Sequence, residues 1–340
     1  MVFAGFTDSG MKVAVVGVTG AVGKEMLNVL HARAYPLSEL RVFASSRSAG
    51  KQLDSPFGPL TIEEFTVDAV ATCEIALMAV SGDFAKEFAP QLAERGLKVI
   101  DNSSAFRNDL DKPLVIPEIN PQEVTKHNII ANPNCTTAIA IVALWPLHQA
   151  FGLKKVIMST YQAASGAGAE GMSELEEESR AYLASGKAAN KIFAHPLPFN
   201  VIPHIDTFQE NGYTREEMKV VWETRKITEL PELAVSCTAV RIPTMRAHAE
   251  SIVIETERPI TPAAARAALA VAPGVQVVDD PAAKVYPMPL NASGQYDVEV
   301  GRIRQNLVFG DHGLEFFVCG DQLLKGAALN AVQIAELLKR

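Results

Sequence analysis

A short β-branched strand that runs into a glycine-rich turn and then into a helix constrains the fold of this chain more than any other feature. Lys12–Val16 is the predicted strand, and Met26, Leu27 and Leu30 share one face of the following helix. The turn between them reads Gly17-Val18-Thr19-Gly20-Ala21-Val22-Gly23. Because glycines between a strand and a helix leave backbone amides free for a pyrophosphate, this turn predicts a dinucleotide site.

The glycine spacing and the loop after the second predicted strand bear on the cofactor. The turn reads GxxGxxG instead of the usual GxGxxG, so a tight turn without a ligand is the alternative interpretation. No acidic residue ends the second strand, where NAD sites bind the ribose 2′-hydroxyl. Instead, Ser45, Ser46, Arg47 and Ser48 supply three hydroxyls and a guanidinium, which suit a 2′-phosphate. The sequence therefore favours NADP, with a polar surface loop as the alternative.

Strands that alternate with helices continue from this start to about Ala131. The predicted elements are strands at Leu40–Ala44, Ile75–Val80 and Lys98–Ile100, and a helix at Ala85–Arg95. Such alternation implies parallel pairing through right-handed crossovers. The turn cluster Asn132-Pro133-Asn134 closes this part of the chain. We therefore predict an α/β protein whose first domain, residues 11–133, is a Rossmann-type parallel sheet.

The rest of the chain has an α+β pattern, which predicts a second domain, residues 134–320, with a mixed sheet. Its predicted strands are Lys154–Ala163, Val235–Ile242, Ser251–Thr256 and Asp297–Arg304. The last segment, Asp321–Arg340, has the apolar spacing of a helix. We expect this helix to bury its apolar side on the parallel sheet and so to complete the first domain.

Composition and charge narrow the classes of partner. The 340 residues carry 31 Lys and Arg against 39 Asp and Glu, a formal charge of −8 without a basic block, so nucleic acid and membrane surfaces are poor partners. The longest apolar run, Thr136–Leu147, is shorter than the roughly 20 residues of a bilayer span. Met1–Gly10 lacks a signal-peptide pattern and is expected to be a short mobile leader, so the expected location is the cytoplasm.

Four widely spaced cysteines without a CxxC pair predict single thiols instead of a disulfide framework. Cys73, Cys237 and Cys319 are expected to be buried and inert. Cys135 follows the turn cluster and precedes the apolar run Ala138–Leu144, so it should lie in the first turn of a helix, where free amides lower a thiol pKa. Such a thiolate beside a nicotinamide indicates aldehyde oxidation through a hemithioacetal and a thioester; an inert buried Cys is the alternative.

This chemistry needs a base, and His248 is the candidate among seven histidines. It closes a segment that also contains Arg241 and Arg246 and that shows no apolar periodicity. A single histidine is more often structural, which is the alternative here. Each arginine could clamp a carboxylate in a bidentate pair or form a surface ion pair.

Two further polar segments stand out. Thr214 and Glu217 form a capping box, which predicts a helix through Met218–Arg225. The residues on the charged side of that helix, which would ordinarily be solvated, are Glu216, Lys219 and Glu223. Asp101–Arg107 follows a predicted strand at the carboxyl edge of the sheet, where ligands of open α/β folds bind.

Together these residues resemble the aspartate-β-semialdehyde dehydrogenase family from Met11 to Arg340. The segments that carry the resemblance are GVTGAVG, SSRSAG, DNSSAFR, NPNCTT, YQAASGAG, EEMKVVWET, VRIPTMRAH and GDQLLKGAALNAVQ. The resemblance implies NADPH-dependent reductive dephosphorylation of β-aspartyl phosphate to aspartate semialdehyde, a step toward lysine, threonine and methionine. It also implies a homodimer whose interface lies in the second, catalytic domain.

The resemblance further implies a role for individual residues. Cys135 would be the nucleophile, Gln162 would orient the intermediate, and His248 would be the acid–base group. The implied substrate contacts are Arg241 to the α-carboxylate, Glu216 to the α-amino group, and Arg107 and Lys219 to the phosphoryl group or inorganic phosphate. No metal is implied.

Two departures and three rival functions accompany this interpretation. The family pattern has Asp-Asn where this chain has Asp321-Gln322, and nothing in the pattern accounts for the ten residues before Met11.

N-acetyl-γ-glutamyl-phosphate reductase is the nearest rival, but Glu216 has no charged partner in an acetamide. A glyceraldehyde-phosphate dehydrogenase lacks support from the helix face and the NADP-type loop. A non-catalytic relative is disfavoured because Cys135, Gln162 and His248 are all present.

Overall fold

The structure, a computed structural model, describes residues 6–339. The chain divides into two compact units. The first unit comprises the described residues up to Asn134 together with those from Ala327 onward, and the second comprises Cys135–Gly326.

The first unit is built on a six-stranded parallel sheet with the order β5-β2-β1-β6-β7-β8. Its strands are β1 (Phe6–Val16), β2 (Leu37–Ala44), β3 (Gln52–Leu53), β4 (Leu60–Thr61), β5 (Glu63–Glu64), β6 (Ile75–Met78), β7 (Lys98–Asp101) and β8 (Ile129–Ala131), of which β3 and β4 form a separate hairpin. Its helices include α1 (Ala21–Ala32), α2 (Val67–Val70) and α3 (Gly82–Glu94). The predicted Rossmann-type parallel sheet is confirmed.

The first strand begins earlier than its apolar pattern indicates. Phe6 and Met11 are both register partners of Leu37 in β2, with register shifts between Phe6 and Met11 and between Met11 and Lys12. The expectation of a mobile leader is therefore wrong for residues 6–10, and residues 1–5 lie outside the described part of the chain. The reason is that strand pairing uses backbone groups, so a polar segment extends a ladder without any apolar alternation.

The second unit contains a six-stranded mixed sheet with the order β10-β9-β11-β14-β13-β12. Its strands are β9 (Leu153–Gln162), β10 (Ala234–Arg241), β11 (His248–Thr256), β12 (Val275–Val277), β13 (Val298–Gln305) and β14 (Gly313–Gly320). Its helices are α4 (Cys135–Phe151), α5 (Gly168–Ser185), α6 (Arg215–Thr228), α7 (Pro262–Ala270) and α8 (Pro289–Ala292). The predicted mixed sheet is confirmed, whereas β12, β14, α5, α7 and α8 were missed.

Helix α4 is buried around most of its circumference, and it packs against α6, α7 and four strands of the mixed sheet. Its apolar positions therefore do not form one stripe, as expected for a helix inside a core. The helix continues through Pro146 to Phe151. Cys135, its first residue, is thus fixed by a rigid element.

The C-terminal segment differs from the single helix predicted over Asp321–Arg340. A π-helical turn, Leu324–Ala328, precedes α9 (Leu329–Glu336). The helix starts late because the Asp321 carboxylate accepts the amide of Leu323 at 3.0 Å, which holds a local turn. Helix α9 belongs to the first unit and packs on β6, β7 and α1. It therefore lies on the parallel sheet, where the sequence predicted that its apolar side would be buried.

Within residues 6–339, no helix combines the length and the hydropathy that a bilayer crossing requires.

Candidate active site

The glycine turn of the first unit has the geometry of a dinucleotide site. Gly17 has φ +84°, and a Cβ on it would lie 2.1 Å from the carbonyl oxygen of Ala79, so only glycine is accommodated there. A Cβ on Gly23 would lie 2.4 Å from the carbonyl oxygen of Gly17. Helix α1 begins after Gly20 without a side-chain cap, and Thr19 and Gly20 are exposed. The turn therefore presents uncapped amides to an anion, which suits a pyrophosphate.

The hydroxyl-rich loop lies beside this turn. The amides of Gly17 and Val18 donate to the carbonyl oxygen of Phe43 at 2.9 and 3.2 Å, which fixes the ends of β1 and β2 side by side. The loop that follows β2 exposes Ser45, Ser46 and Arg47. Exposed hydroxyls and a guanidinium next to the glycine turn match the donor set that a 2′-phosphate needs.

Arg107 is buried in the first unit and is held by backbone carbonyls. Its Nε donates to the carbonyl oxygen of Asn132 at 2.9 Å, and its Nη2 donates to that of Asn102 at 2.8 Å. The residue thus links the end of β7 to the segment just before Cys135 in the sequence.

The other predicted catalytic residues lie along one edge of the mixed sheet. Gln162 and Arg241 end the parallel strands β9 and β10 and are register partners. His248 begins the antiparallel strand β11, opposite Gly320 at the end of β14. Strand topology therefore brings together residues that are far apart in the sequence.

Cys135 and His248 lie in contact with each other at this edge. The Sγ of Cys135 lies 3.5 Å from Nε2 of His248. The thiol sits at the first residue of α4, at the positive end of the helix dipole. A Cβ on Gly326 would lie 2.7 Å from Cβ of Cys135, so the backbone at Gly326 approaches Cys135 closely.

The imidazole of His248 is fully buried, and its other nitrogen is occupied. The backbone amide of Ala163 donates to Nδ1 at 3.0 Å. Burial, reinforced by the positive charge of Arg241, holds the pKa of His248 well below its usual range. The imidazole of His248 is therefore neutral at neutral pH.

Gln162, Glu216 and Lys219 form a hydrogen-bonded polar chain in which Gln162 and Glu216 are buried. Nε2 of Gln162 donates to Glu216 at 3.2 Å, and its Oε1 accepts from the hydroxyl of Thr160 at 2.8 Å. Lys219 donates to Glu216 at 3.1 Å and to Asp206 at 2.8 Å. Burial lowers the pKa of Lys219, but the two carboxylates outweigh it and raise the pKa overall, so the ammonium stays charged.

The charged side of α6 is not exposed to solvent, although its residues alone would ordinarily indicate a solvated side. The capping box of Thr214 and Glu217 forms as predicted. Glu216 and Glu223 are buried, while Trp222 on another side is partly exposed. Charged groups at buried positions require partners, and Gln162 and Lys219 supply them for Glu216.

Arg241 is a buried cation at the same edge. Its Nη1 donates to the carbonyl oxygen of Ala163 at 2.6 Å, and its guanidinium lies 5.5 Å from the ring centre of Phe193. A Cβ on Gly166 would lie 2.8 Å from this Nη1 and 3.2 Å from Cε1 of His248. The glycine therefore leaves a small space between the guanidinium and the imidazole.

The remaining three thiols are more deeply buried than that of Cys135. Cys73, Cys237 and Cys319 are buried, as expected, and burial raises the pKa of each, to about 11 for Cys73. They stay protonated at neutral pH. Within the described part of the chain, no cluster of three or more His, Cys, Asp or Glu side chains suits a metal ion.

Both units of this chain match sequence families of known proteins. Residues 12–127 match the family described as semialdehyde dehydrogenase, NAD binding domain, and residues 144–325 match semialdehyde dehydrogenase, dimerisation domain. The aspartate-semialdehyde dehydrogenase of Aquifex aeolicus (strain VF5) is 48% identical over 335 residues, which cover 97% of this chain and 98% of the relative. This chain belongs to the aspartate-semialdehyde dehydrogenase family. The resemblance inferred from the sequence motifs is thus confirmed.

Solved structures of aspartate-semialdehyde dehydrogenases superpose on the whole chain. Aspartate semialdehyde dehydrogenase II from Vibrio cholerae, solved in complex with ASA, has a TM-score of 0.92 at 40% identity and covers 97% of this chain and 98% of its own. The Candida albicans enzyme, solved with NADP, has a TM-score of 0.75 at 25% identity and covers 97% of this chain and 99% of its own. The predicted oxidoreductase class is confirmed.

The sequence alone gives no role to Asp321 and Gln322, the pair that departs from the pattern expected for aspartate-semialdehyde dehydrogenases. Gln322 accepts the amide of Ala247 at 3.0 Å and donates to the hydroxyl of Ser165. Ala247 has φ +68°, a left-handed conformation that a non-glycine residue adopts only when its surroundings hold it. Asp321 accepts from Arg246 at 2.6 Å. Both residues therefore support the segment that positions His248, and their sequence neighbourhood gives no sign of it.

Proposed function

We propose that this protein catalyses the NADPH-dependent reductive dephosphorylation of β-aspartyl phosphate to aspartate semialdehyde through a thioester on Cys135. The observation that carries the proposal is the pairing of Sγ with Nε2 of His248 at 3.5 Å at a helix start. Beside it lie a buried anion, Glu216, and a buried cation, Arg241. An amino acid aldehyde has the complementary ammonium and carboxylate groups.

The covalent step uses the sulfur of Cys135. Its thiolate attacks the acyl carbon of the substrate, the bond between that carbon and the phosphate oxygen breaks, and the phosphate leaves with the bonding electron pair. The negative oxygen that develops on the acyl carbon needs a positive environment, and the positive end of the α4 dipole would supply it. The product of this step is a thioester.

NADPH, when bound, supplies the hydride that reduces the thioester carbonyl. The residues that would hold it are Gly17, Thr19, Gly20, Ala21, Val22 and Gly23 for the pyrophosphate and Ser45, Ser46, Arg47 and Ser48 for the 2′-phosphate. Within the second unit, Gln162 would orient the adduct, and His248 would be the acid–base group through Nε2. The hemithioacetal then collapses, which releases the aldehyde and restores the thiolate.

Charge placement supports the proposed substrate contacts. Arg241 would bind the α-carboxylate, and Glu216 would bind the α-ammonium through oxygens that Gln162 and Lys219 already orient. Arg107 and Lys219 would bind the phosphoryl group. Because Lys219 lies between two carboxylates, it would hold a phosphate less strongly than an unpaired lysine would.

An assay in the oxidative direction tests this function. With aspartate semialdehyde we expect NADP reduction that requires inorganic phosphate, because only phosphate releases the acyl group from sulfur as an acyl phosphate. N-acetylglutamate semialdehyde should react far more slowly, since its acetamide leaves the charge of Glu216 without a partner. Phosphate-independent reduction, or a preference for the N-acetylated aldehyde, would refute the proposal.

A second prediction concerns the cofactor. Replacing Arg47 with alanine should raise the KM for NADPH by about 10- to 100-fold, the loss of roughly 1.5–3 kcal/mol for a hydrogen bond to a charged group. The KM for NADH, which has no 2′-phosphate, should change little. Steady-state kinetics with both cofactors measure this, and Lys51→Ala, an exposed cation a few residues further on, is the matched control. Equal losses for both cofactors would disprove a 2′-phosphate contact.

We also propose that two copies pair through the second unit, the part matched to a dimerisation domain. The side of the mixed sheet away from α4 supports this, because Ile157 is 47% exposed there and Tyr161 stacks on Phe317 at 6.1 Å. Partly exposed apolar groups on a sheet favour association. The cytoplasmic location expected from the sequence stays a prediction.

A further inference from the structure

We propose that Phe193 is a positioning residue for recognition of the substrate carboxylate, and that Glu174 on α5 holds Phe193 in place. The ring of Phe193 keeps the guanidinium of Arg241 in one orientation, and Glu174 fixes the segment that carries the ring. The inference rests on the proposed function, in which Arg241 binds the α-carboxylate, and it adds two residues to that part of the site.

Arg241 has few hydrogen bonds for a buried guanidinium. It is 7% exposed, and the one side-chain hydrogen bond that it makes to a described residue runs from Nη1 to the carbonyl oxygen of Ala163 at 2.6 Å. A guanidinium has five N–H donors, so the others remain available to a carboxylate. A single hydrogen bond still lets the guanidinium plane rotate. Because two parallel hydrogen bonds to a carboxylate need a fixed plane, a second contact has to set the orientation.

The ring of Phe193 supplies this second contact. Its centre lies 5.5 Å from the guanidinium carbon of Arg241, within the range of a cation–π contact. Phe193 is buried in an apolar cluster that also contains Leu175, Leu197 and Ile202. Since the cluster keeps water away from the ring, the attraction is stronger here than at an exposed site.

The surroundings of the guanidinium leave room for a ligand. A Cβ on Gly166 would lie 2.8 Å from Nη1 of Arg241, so a larger residue there would displace the guanidinium. Arg241 and Phe193 both line a cavity of about 330 Å³ within the second unit. Asp206 also lines this cavity, but its carboxylate is paired with Lys219. An anion that enters the cavity therefore meets Arg241 as its counter-charge, and Phe193 forms the wall beside that charge.

Phe193 lies in the irregular segment after α5, so neither a helix nor a strand fixes its position. Instead, the backbone amides of Lys191, Ile192 and Phe193 donate to the carboxylate of Glu174 at 2.9, 2.8 and 3.3 Å. One carboxylate on α5 thus satisfies three consecutive donors that have no partner in a regular element. A Cβ on Gly171 of the same helix would lie 3.1 Å from Cζ of Phe193, so α5 approaches the ring closely.

The other end of the segment is joined to Arg241 itself. The amide of Ile202 donates to the carbonyl oxygen of Arg241 at 2.9 Å, and the amide of Arg241 donates to that of Ile202 at 2.8 Å. Glu174 and this backbone bridge therefore hold the ring of Phe193 against the guanidinium. The alternative is that Phe193 only fills the apolar cluster, in which case another apolar side chain would serve equally well.

Steady-state kinetics with two aldehydes test the role of the ring. We expect Phe193→Leu to lower kcat/KM for aspartate semialdehyde by about 5- to 30-fold, the range of a cation–π contact away from water. For 3-aminopropanal, which lacks the carboxylate, kcat/KM should stay nearly the same. Phe199→Leu is the matched control, because Phe199 is 65% exposed and contacts Tyr182. Equal losses on both aldehydes in Phe193→Leu would show that the ring only maintains packing.

A substitution that keeps the shape of the ring separates charge attraction from packing. Fluorine draws electrons from the ring face, so 3,5-difluorophenylalanine at position 193 should weaken the attraction to Arg241 without opening a cavity. We expect kcat/KM for aspartate semialdehyde to fall by about two- to fivefold, and kcat/KM for 3-aminopropanal to stay unchanged. An unchanged kcat/KM for both aldehydes would refute the proposed contact.

Glu174→Gln tests the contact between α5 and the segment. The amide nitrogen of glutamine cannot accept a backbone N–H, so kcat/KM for aspartate semialdehyde should fall by about 2- to 10-fold, the scale of one lost hydrogen bond. The double variant with Phe193→Leu should lose no more than Phe193→Leu alone, because both changes act through the same ring. Glu177→Gln, on the same helix and bonded to Ser173, is the control. Additive losses in the double variant would show that Glu174 does not act through Phe193.

Nuclear magnetic resonance of the free enzyme separates this inference from the proposed function. With ¹⁵N in the arginine side chains, the signals of Arg241 are those absent from Arg241→Lys. A guanidinium held in one orientation gives separate Nη1 and Nη2 signals, whereas a rotating one gives an averaged signal. We expect separate signals in the wild-type enzyme and averaging in Phe193→Leu, and the same pattern in both would overturn the inference. If the wild-type enzyme does not oxidise aspartate semialdehyde, the proposed function fails, while this measurement still shows whether the ring holds the guanidinium.

Discussion

Replacing Cys135 with serine is expected to lower turnover by on the order of 10⁴-fold or more, the scale seen when the nucleophile of a covalent mechanism is removed. A hydroxyl ionises far less readily than a thiol, so the serine is a much weaker nucleophile than Cys135. Phosphate-dependent reduction of NADP with aspartate semialdehyde is the measurement. Binding of NADP, followed by fluorescence titration, should be unchanged because the glycine turn lies in the other unit.

The matched control is Cys73→Ser. This thiol is buried in the first unit, and its pKa of about 11 keeps it protonated at neutral pH. The control should retain wild-type turnover, and iodoacetamide should label it once and inactivate it, while Cys135→Ser should resist labelling. Substantial turnover in Cys135→Ser, or inactivation by alkylation of another cysteine, would contradict the assignment of the nucleophile.

Replacing Arg241 with leucine should lower kcat/KM for aspartate semialdehyde by about 10³-fold, within the 2–5 kcal/mol expected when one partner of a buried charge pair is removed. The substrate carboxylate would then enter a buried site without a counter-charge. Arg241→Lys should recover part of the loss, because it restores the charge but not the bidentate geometry. Steady-state kinetics give the values, and the KM for NADP should stay constant.

A truncated substrate distinguishes recognition from a structural effect, because Arg241 also anchors the carbonyl of Ala163. The probe is 3-aminopropanal, which is aspartate semialdehyde without its carboxylate. The kcat/KM of the wild-type enzyme should be much lower for 3-aminopropanal than for aspartate semialdehyde. The Arg241→Leu variant should have nearly equal kcat/KM values for the two aldehydes. If the variant loses as much activity on 3-aminopropanal as on aspartate semialdehyde, the guanidinium maintains the site but does not bind the carboxylate.

Local patterns were enough to predict the frame of both units. The glycine turn, the strand before it and α1 follow from residues within one short segment, as does the capping box at Thr214. Cys135 was placed at a helix start because turn residues precede it and an apolar run follows. These features depend on neighbours in the sequence, so the sequence suffices to predict them.

The contacts that tune the site are of another kind. The amide of Ala163 meets His248 across 85 positions, and Gln322 meets Ser165 across 157. Backbone groups and long-range partners have no residue pattern, so neither the backbone partner of His248 nor the support from Gln322 could be predicted. The same limit explains why Glu216 and Glu223 read as solvated although the fold buries them.

The strand ends that meet at one edge of the mixed sheet affect how turnover returns when the second unit refolds. Sγ and imidazole come from positions 113 residues apart, and the strands between them pair both in parallel and in antiparallel fashion. Chain closure over such separations is slow and comes late in folding. Regain of turnover during renaturation therefore marks the completion of this unit, well after helical signals have returned.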